Sequence, residues 1–293
     1  MKQILIIGGT LFVGRVLVEK LLKIPGYELT LFNRGRSNTH LFPRVKRIVG
    51  DRYVQTDLDK MAQQDWDVVI DISSYYPLPL EYQMDQLKGR VGRYIYVSTA
   101  SVYDSASSTE ALLSESTPLV ACPEELKTDD KGSSYSARKA ECERVILKCD
   151  DLDKVILRPG LIVGPHDYTD RLYYWIYRVQ KRFAILLPDG GRHLLAYTDV
   201  DDFAQMMIQC IDIDHQHDVY NATSYLSSVG AFVAECKKQM NKRPNLVDAD
   251  VEFLDEAGIK FWSNLPLWIN KDVLTVDSSR LIKEFRFTPS TIE

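Results

Sequence analysis

The N-terminal stretch constrains the fold more than any other part of the chain, because it places glycines between a strand pattern and a helix pattern. Residues 3–7 form an apolar run of strand length, Gly8-Gly9-Thr10 follows directly, and apolar residues then recur at helical spacing to residue 22. A buried strand, a glycine turn and a helix are typical of the first βαβ unit of a dinucleotide-binding domain. The alternative is a tight turn that binds no ligand.

A turn of this kind favours a bound pyrophosphate. The N-terminus of a helix presents unpaired N–H groups and about half a positive charge, and glycines let the backbone approach the phosphates. The candidate cofactor-binding residues in the turn are Gly8, Gly9, Thr10, Phe12, Val13 and Gly14.

The end of the second strand bears on the identity of the dinucleotide. Residues 27–32 have the pattern of a strand, and Asn33-Arg34-Gly35-Arg36 follows it. An acidic residue here would bind the ribose hydroxyls of NAD, whereas an arginine pairs with the 2′-phosphate of NADP. Because the segment has no acid and offers Arg34 and Arg36, it favours NADP over NAD. The alternative is a solvated, cationic loop.

The next segments repeat the alternation of strands and helices. Strand patterns at 45–49, 68–72, 93–97 and 154–157 are separated by helical or polar stretches. This predicts an α/β fold, a doubly wound parallel (Rossmann) sheet with a small C-terminal α+β cap that binds substrate. We expect residues 1–158 and 195–222 to form the dinucleotide-binding domain, and 159–194 and 223–293 to form the cap. Four more candidate cofactor contacts lie at or near strand ends, at Asp51, Ser73, Ser74 and Pro159.

Composition excludes several other classes of protein. The chain of 293 residues is 45% hydrophobic and carries a net charge of −5, so it has no global basic field to attract nucleic acid or an anionic membrane. It has no apolar run of membrane-spanning length and no recognisable leader, and its five cysteines are dispersed, so we expect a cytoplasmic protein with reduced thiols. His215 and His217 lack accompanying ligands, so we expect no metal site.

A tyrosine and a lysine mark the candidate catalytic helix. Tyr135 and Lys139 are four residues apart, so a helix places them on one face. A nearby ammonium favours a phenolate, which predicts a lowered pKa for Tyr135 and a role as acid/base at an alcohol or carbonyl oxygen. Ser98 and Thr99 follow the strand at 93–97, where a hydroxyl would orient the same oxygen.

These motifs, in this order, resemble the extended short-chain dehydrogenase/reductase superfamily, in its NAD(P)-dependent epimerase/dehydratase group. The resemblance implies that Tyr135 is the acid/base, that Lys139 holds the nicotinamide ribose, and that Thr99, with Ser98 as the alternative, orients the substrate. It also implies hydride transfer at an alcohol or carbonyl of a sugar-like or nucleotide-linked small molecule, and a homodimer through the Tyr135 helix. The matching segments are residues 8–14, 97–103, 135–139, 157–165 and 197–202.

Two departures from the family pattern limit what the resemblance implies. Leu11 stands where the family's middle glycine would be, which is similar to an atypical branch that includes reductases and plant chloroplast proteins described as RNA-binding. Ala100 and Ser101 stand where sugar-nucleotide dehydratases carry an acidic pair, so dehydration is disfavoured against epimerisation or reduction.

Two functions therefore remain open on the sequence. The first is an NAD(P)-dependent oxidoreductase or epimerase, with candidate substrate contacts at Thr99, Ser101, Tyr135 and Arg192. The second is a cofactor-sensing or RNA-binding protein with degenerate catalysis. The acidic net charge and the lack of a stripe of arginine and lysine count against nucleic acid. Trp262 and Trp268 in the cap are candidates for stacking on a base or sugar, although packing is the simpler reading.

Overall fold

The computed structural model describes residues 1–106, 111–260, 264–267 and 274–292. Trp262 and Trp268 lie outside these described residues. Within them, no helix combines the length and the apolarity needed to cross a bilayer.

Twelve strands and nine helices are described, and their bounds are as follows. The strands are β1 Lys2–Ile7, β2 Tyr27–Asn33, β3 Lys46–Val49, β4 Trp66–Asp71, β5 Val91–Val97, β6 Asp153–Pro159, β7 Leu161–Val163, β8 Ala184–Pro188, β9 Leu194–Asp199, β10 Val219–Ala222, β11 Tyr225–Ser228 and β12 Asn245–Ala249. The helices are α1 Phe12–Leu21, α2 Gln55–Leu58, α3 Pro77–Leu87, α4 Tyr135–Leu147, α5 Arg171–Lys181, α6 Val200–Asp212, α7 Val229–Met240, α8 Val251–Glu256 and α9 Ser279–Phe285.

A seven-stranded parallel sheet forms the centre of the fold, with the order β10-β6-β5-β4-β1-β2-β3. The chain runs outward from β1 to β2 and β3, then returns to the other side of β1 through β4. Strand order therefore reverses between β1 and β4, and open sheets of this type bind ligands at the carboxyl ends of strands beside such a reversal. The predicted doubly wound parallel sheet is confirmed.

Helices cover both faces of this sheet. Helices α1, α6 and α9 pack on one face, and α2, α3 and α4 pack on the other. The four residues from Ile4 to Ile7 are at most 1% exposed. Burial on both faces explains why the central strands read as continuous apolar runs rather than as alternating patterns.

The remaining strands form two small sheets, β11-β9-β7 and β12-β8. Helices α5, α7 and α8 pack with these sheets around the buried side chain of Trp175. Strand β9 lies in the first small sheet, whereas α6, which follows it directly, packs against the main sheet. Helix α9 also returns to the main sheet, from a segment that the sequence assigned to the cap.

Candidate active site

The glycine turn after β1 is shaped by close packing. Gly8 and Gly9 adopt φ values of +121° and +97°, which side-chain-bearing residues rarely adopt. A Cβ on Gly14 would lie 2.7 Å from the amide nitrogen of Gly9, so the first turn of α1 can sit on the turn only because residue 14 is glycine. The turn therefore holds the helix N-terminus directly against the carboxyl end of β1.

The N-terminus of α1 has the features of an anion site. Leu11 occupies the cap position with extended backbone (φ −123°, ψ 146°), and no side chain caps the helix. Phe12 has a φ of +31°, and Val13 belongs to the core, so residue 13 offers a ligand only its backbone. The Leu11 side chain is 49% exposed, so it lies outside the core. Extended backbone at residue 11 shows that glycine is not required there by conformation.

Two asparagines fix the turn to the loop after β2. The Asn33 amide donates to the carbonyl of Gly8 over 3.1 Å and accepts from the N–H of Gly35 over 3.0 Å. Asn38 donates to the carbonyl of Thr10 over 2.8 Å, and the Thr10 side chain is buried. Asn33 and Asn38 thus hold the shape of the turn.

The loop after β2 and the loop after β3 lie side by side. Arg34 and Arg36 are exposed, and no carboxylate of the described residues lies within ion-pair distance of either. Burial raises the pKa of the Tyr53 phenol, and the charge of Arg34 opposes that rise. Asp51 accepts from the N–H of Tyr53 over 3.1 Å, so its carboxylate also shapes the second loop.

A buried carboxylate organises the end of β4. Asp71 accepts hydrogen bonds from the N–H groups of Ser73 and Ser74 at 3.1 and 3.0 Å, and from the Tyr94 hydroxyl at 2.7 Å. Burial by itself would raise the pKa of Asp71, but the Arg52 charge and these hydrogen bonds outweigh it and hold the pKa below its usual value. Ser73 and Ser74 are therefore part of a fixed polar network beside the glycine turn.

Tyr135 and Thr99 come together at the carboxyl edge of β5. Tyr135 begins α4 and is partly exposed, whereas the Thr99 side chain is largely buried. The Thr99 hydroxyl lies close enough to the Tyr135 phenol to lower its pKa. Ser101 donates its N–H to the Thr99 oxygen over 3.2 Å, and the two hydroxyl oxygens are 3.1 Å apart. The fold thus brings together Thr99, Ser101 and Tyr135, which the sequence predicts as substrate contacts.

Ser98 faces a different part of the molecule. Its hydroxyl donates to the buried carboxylate of Glu143, which is also paired with Arg158 through contacts of 3.0 and 3.1 Å from the guanidinium Nε. Arg158 donates onward to the Tyr103 hydroxyl over 2.9 Å. Ser98 is therefore engaged in a structural ion-pair network, and of the two candidate hydroxyls only Thr99 reaches Tyr135.

The ammonium of Lys139 is hydrogen-bonded to groups of β5 and of the segment after β4. It donates to the carbonyl of Val97 and the hydroxyl of Tyr96, both at 2.6 Å, and to the carbonyl of Ser74 at 3.0 Å. Lys139 is 1% exposed, and burial lowers its pKa to about 8. Three bonds match the three donors of an ammonium, so its hydrogen-bonding capacity is used within the protein.

The expected lowering of the Tyr135 pKa is corrected by the structure. Burial raises the pKa of Tyr135, the neighbouring phenol of Tyr75 adds to the rise, and the hydrogen bond from Thr99 only partly offsets it. A lowered pKa would require the Lys139 ammonium to act directly on the phenol. Instead Lys139 donates to Tyr96 and Val97 of β5 and to Ser74 after β4, and Tyr135 is a neutral phenol at neutral pH.

Two further candidates lie apart from this group. Arg192 is exposed and pairs with Asp248, with 3.6 Å between the charged atoms, on the edge of the β12-β8 sheet. Pro159 is buried at the end of β6, and Gly160 after it donates its N–H to Thr198 over 3.0 Å. The structure shows no contact between Arg192 and the tyrosine site among the described residues.

Three residues of the site were missed by the sequence reasoning. Arg52 donates to the Ser73 hydroxyl over 3.1 Å, directly beside the glycine turn. The Tyr75 ring lies 6.1 Å from the Tyr135 ring and 5.4 Å from the Lys139 ammonium. Tyr96 accepts a hydrogen bond from the Lys139 ammonium. The available signals were the positions of Arg52 three residues after β3, of Tyr75 four residues after β4, and of Tyr96 inside β5.

Comparison with curated proteins finds distant relatives of two kinds. The chain is 28% identical over 227 residues to the chloroplast stem-loop binding protein of 41 kDa b from Arabidopsis thaliana, which covers 72% of this chain and 55% of that protein. It is 26% identical over 186 residues to UDP-glucose 4-epimerase from Neisseria meningitidis serogroup B, which covers 57% of this chain and 55% of the epimerase. The chain thus matches about half the length of these relatives.

Solved structures show the same fold at low sequence identity. The dTDP-glucose 4,6-dehydratase of Bacillus anthracis, in complex with NAD, superposes with a TM-score of 0.75 at 15% identity. The superposition covers 99% of this chain and 92% of the dehydratase chain. The UDP-glucuronic acid 4-epimerase of Bacillus cereus, in complex with UDP-glucuronic acid and NAD, gives a TM-score of 0.72 at 18% identity and covers 99% and 94%.

A sequence model of one family matches most of the chain and includes both the glycine turn and the catalytic candidates. The match runs from residue 4 to residue 222. The chain therefore belongs to the NAD dependent epimerase/dehydratase family.

Proposed function

We propose that this protein is an NAD(P)-dependent oxidoreductase or epimerase that acts on an alcohol or carbonyl of a nucleotide-linked sugar. The observation that carries the proposal is the proximity of the Thr99 hydroxyl to the Tyr135 phenol at the carboxyl edge of β5, where Thr99 acts to lower the pKa of the phenol. The relatives named as UDP-sugar epimerases support the substrate class. Membership of the family supports a dinucleotide cofactor.

The residues of the first βαβ unit fit a dinucleotide. The close contact of Gly14 with Gly9 brings the uncapped N-terminus of α1 to the edge of the sheet, where its N–H groups would hold a pyrophosphate. Arg34 would hold a 2′-phosphate, and on this ground we propose a preference for NADP. When bound, a nicotinamide supplies or accepts the hydride.

The protein's own residues would handle the proton. A neutral Tyr135 can donate its proton to a carbonyl oxygen that becomes an alcohol, and can take the proton back in the reverse direction. Thr99 would hold the same oxygen, and the Ser101 N–H fixes the position of the Thr99 hydroxyl. Lys139 holds the end of β5 and the segment after β4 in position through its hydrogen bonds to Val97, Tyr96 and Ser74. Because Ala100 and Ser101 supply no acid, we propose reduction or epimerisation rather than dehydration.

The test is to incubate the purified protein with UDP-sugars and each reduced or oxidised dinucleotide, and to follow both nicotinamide absorbance and the sugar products. Turnover that depends on Tyr135 supports the proposal. Cofactor binding with no turnover of any UDP-sugar or simple carbonyl would contradict it.

A second candidate is a protein that binds the dinucleotide without catalysis. Two observations favour it: Leu11 replaces a glycine at the helix N-terminus, and the donors of Lys139 are all engaged by the protein. Calorimetric binding of NADPH together with an inactive wild-type protein would favour this second function over the first.

A further inference from the structure

Two separate segments of the cap meet at one edge of a small sheet. Strands β8 and β12 are parallel neighbours in which Ala184 pairs with Asn245, and the N–H of Asn245 donates to the carbonyl of Phe183 over 2.7 Å. The residues that lead into both strands must therefore lie side by side. They form what we term the cap edge, defined by Lys181, Arg182, Phe183, Lys242 and Arg243.

The cap edge is strongly cationic in an acidic protein. Its four basic side chains are exposed, and no carboxylate of the described part of the chain lies within ion-pair distance of them. Residues 171–188 and 236–247, which supply the edge, contain no aspartate or glutamate, although the whole chain has a net charge of −5. The fold thus brings two cationic segments together at one edge of the cap.

Exposed aromatic rings continue from the cap edge along α5. Tyr173 and Tyr177 are 56% and 39% exposed, and their ring centroids are 6.2 Å apart. The Arg182 guanidinium lies 5.8 Å from the Tyr177 ring, and Phe183 is 89% exposed. From Tyr173 to Arg182 this face is about 14 Å long, at the usual rise of a helix.

Helix stability explains only part of this arrangement. Cations at the carboxyl end of a helix are stabilised by its dipole, which accounts for basic residues near the ends of α5 and α7. The dipole gives no reason for three exposed rings beside them. Exposed aromatic residues next to unpaired cations are the combination that binds stacked bases and phosphates.

We propose that the cap edge and the exposed face of α5 bind single-stranded nucleic acid, with phosphates on the four cations and bases stacked on Tyr173, Tyr177 and Phe183. A membrane surface fits less well, because Trp175 and Val179 of α5 are buried in the cap, and of the five cap-edge residues Phe183 is the one with an apolar side chain. The net charge of −5 counts against the binding of nucleic acid. The fold adds a local surface of the opposite sign.

The test is fluorescence anisotropy of the full chain with a short labelled oligouridylate over a range of salt concentrations. Four phosphate contacts predict a slope of log K against log salt of about −3. The double variant Lys181→Gln, Arg182→Gln should weaken binding at least tenfold at low salt and bring the slope to about −1.4. Tyr177→Ala should weaken binding by at least about fivefold and leave the slope unchanged. The matched control is Lys23→Gln, Lys88→Gln, which removes two exposed cations elsewhere and should bind as the wild type does.

Phe183→Ala provides a second stacking variant at the most exposed ring, so a folding defect of one variant does not decide the matter. Three outcomes would overturn the proposal: no salt-dependent binding of the oligonucleotide, an equal loss in the control variant, or binding to phosphatidylserine vesicles but not to the oligonucleotide. Because these positions lie away from Tyr135, the result stands or falls independently of the enzymatic activity.

Discussion

Lys139 and Tyr96 donate hydrogen bonds to the same acceptor, the carbonyl oxygen of Ser74, each over 3.0 Å, and are themselves joined over 2.6 Å. The carbonyl of Val97 completes the set at 2.6 Å. The ammonium is therefore buried among neutral dipoles, with no carboxylate among its hydrogen-bond partners. Such an environment opposes the charged form of the lysine, which explains its lowered pKa.

This environment predicts how stability depends on pH. Below a pH of about 8 Lys139 is charged in both the folded and the unfolded chain, and between about 8 and 10.5 only the unfolded chain keeps the proton. Because the unfolded state then binds more protons, the free energy of unfolding should rise with pH across this window, relative to Lys139→Met, by at most about 3 kcal/mol. Urea unfolding of both proteins at several pH values measures the difference. Parallel curves for the two proteins would contradict it.

Replacement of Tyr135 by Phe tests the acid/base role. The phenolic hydroxyl is the only group removed, so turnover should fall about 10²- to 10⁴-fold, which is the usual contribution of general acid–base catalysis. Dinucleotide binding should stay within about twofold, since the ring remains. Tyr75→Phe is the matched control, because Tyr75 lies beside Tyr135 and also carries a phenol. An equal loss of rate in both variants would point to a packing effect.

Much of this site could be predicted from sequence because it depends on local order. The glycine turn and the alternation of strands and helices are visible in consecutive residues. The partners of Lys139 were not predictable, because Tyr96 lies in β5 and Ser74 in the segment after β4, and only the tertiary fold brings both to α4. The sequence also could not show which of Ser98 and Thr99 faces Tyr135, since adjacent residues at the end of an extended strand point in opposite directions.

The cap edge was even less predictable from the sequence than the partners of Lys139. Its cations lie in two distant segments, and only the parallel pairing of β8 with β12 brings them together. Nothing in either segment signals that pairing. Net charge was therefore a poor guide to the local electrostatics of the surface.

Leu11 is expected to weaken cofactor binding by crowding rather than by backbone strain. Its extended conformation suits any residue, and its half-exposed side chain stands at the uncapped end of α1. Leu11→Gly should therefore tighten dinucleotide binding by about three- to tenfold, equivalent to roughly 1 kcal/mol, with little change in stability. Calorimetric titration with NADPH and with NADH measures it. Weaker binding by the glycine variant would show that Leu11 contacts the cofactor favourably.

The ion pair of Arg158 with Glu143 should be costly to break from one side. Glu143 is fully buried and Arg158 is 3% exposed, so Arg158→Met leaves an unpaired carboxylate and should lower the free energy of unfolding by about 3–5 kcal/mol. The double variant Arg158→Met, Glu143→Leu should recover a large part of that loss, since no buried charge remains. A double-mutant cycle in urea gives the coupling. Additive losses would mean that the two charges do not interact.

Arg34 should determine the choice between NADP and NAD. It is exposed directly after β2, and the described residues place no carboxylate within ion-pair distance, so its guanidinium is available for a 2′-phosphate. A charge-assisted hydrogen bond contributes about 1.5–3 kcal/mol, so Arg34→Ser should weaken NADPH binding by about 10- to 100-fold and leave NADH binding nearly unchanged. Arg36→Ser is the matched control for the loss of one positive charge in the same loop. If wild-type protein binds NADH as tightly as NADPH, or if Arg34→Ser weakens the binding of both equally, Arg34 does not bind the 2′-phosphate.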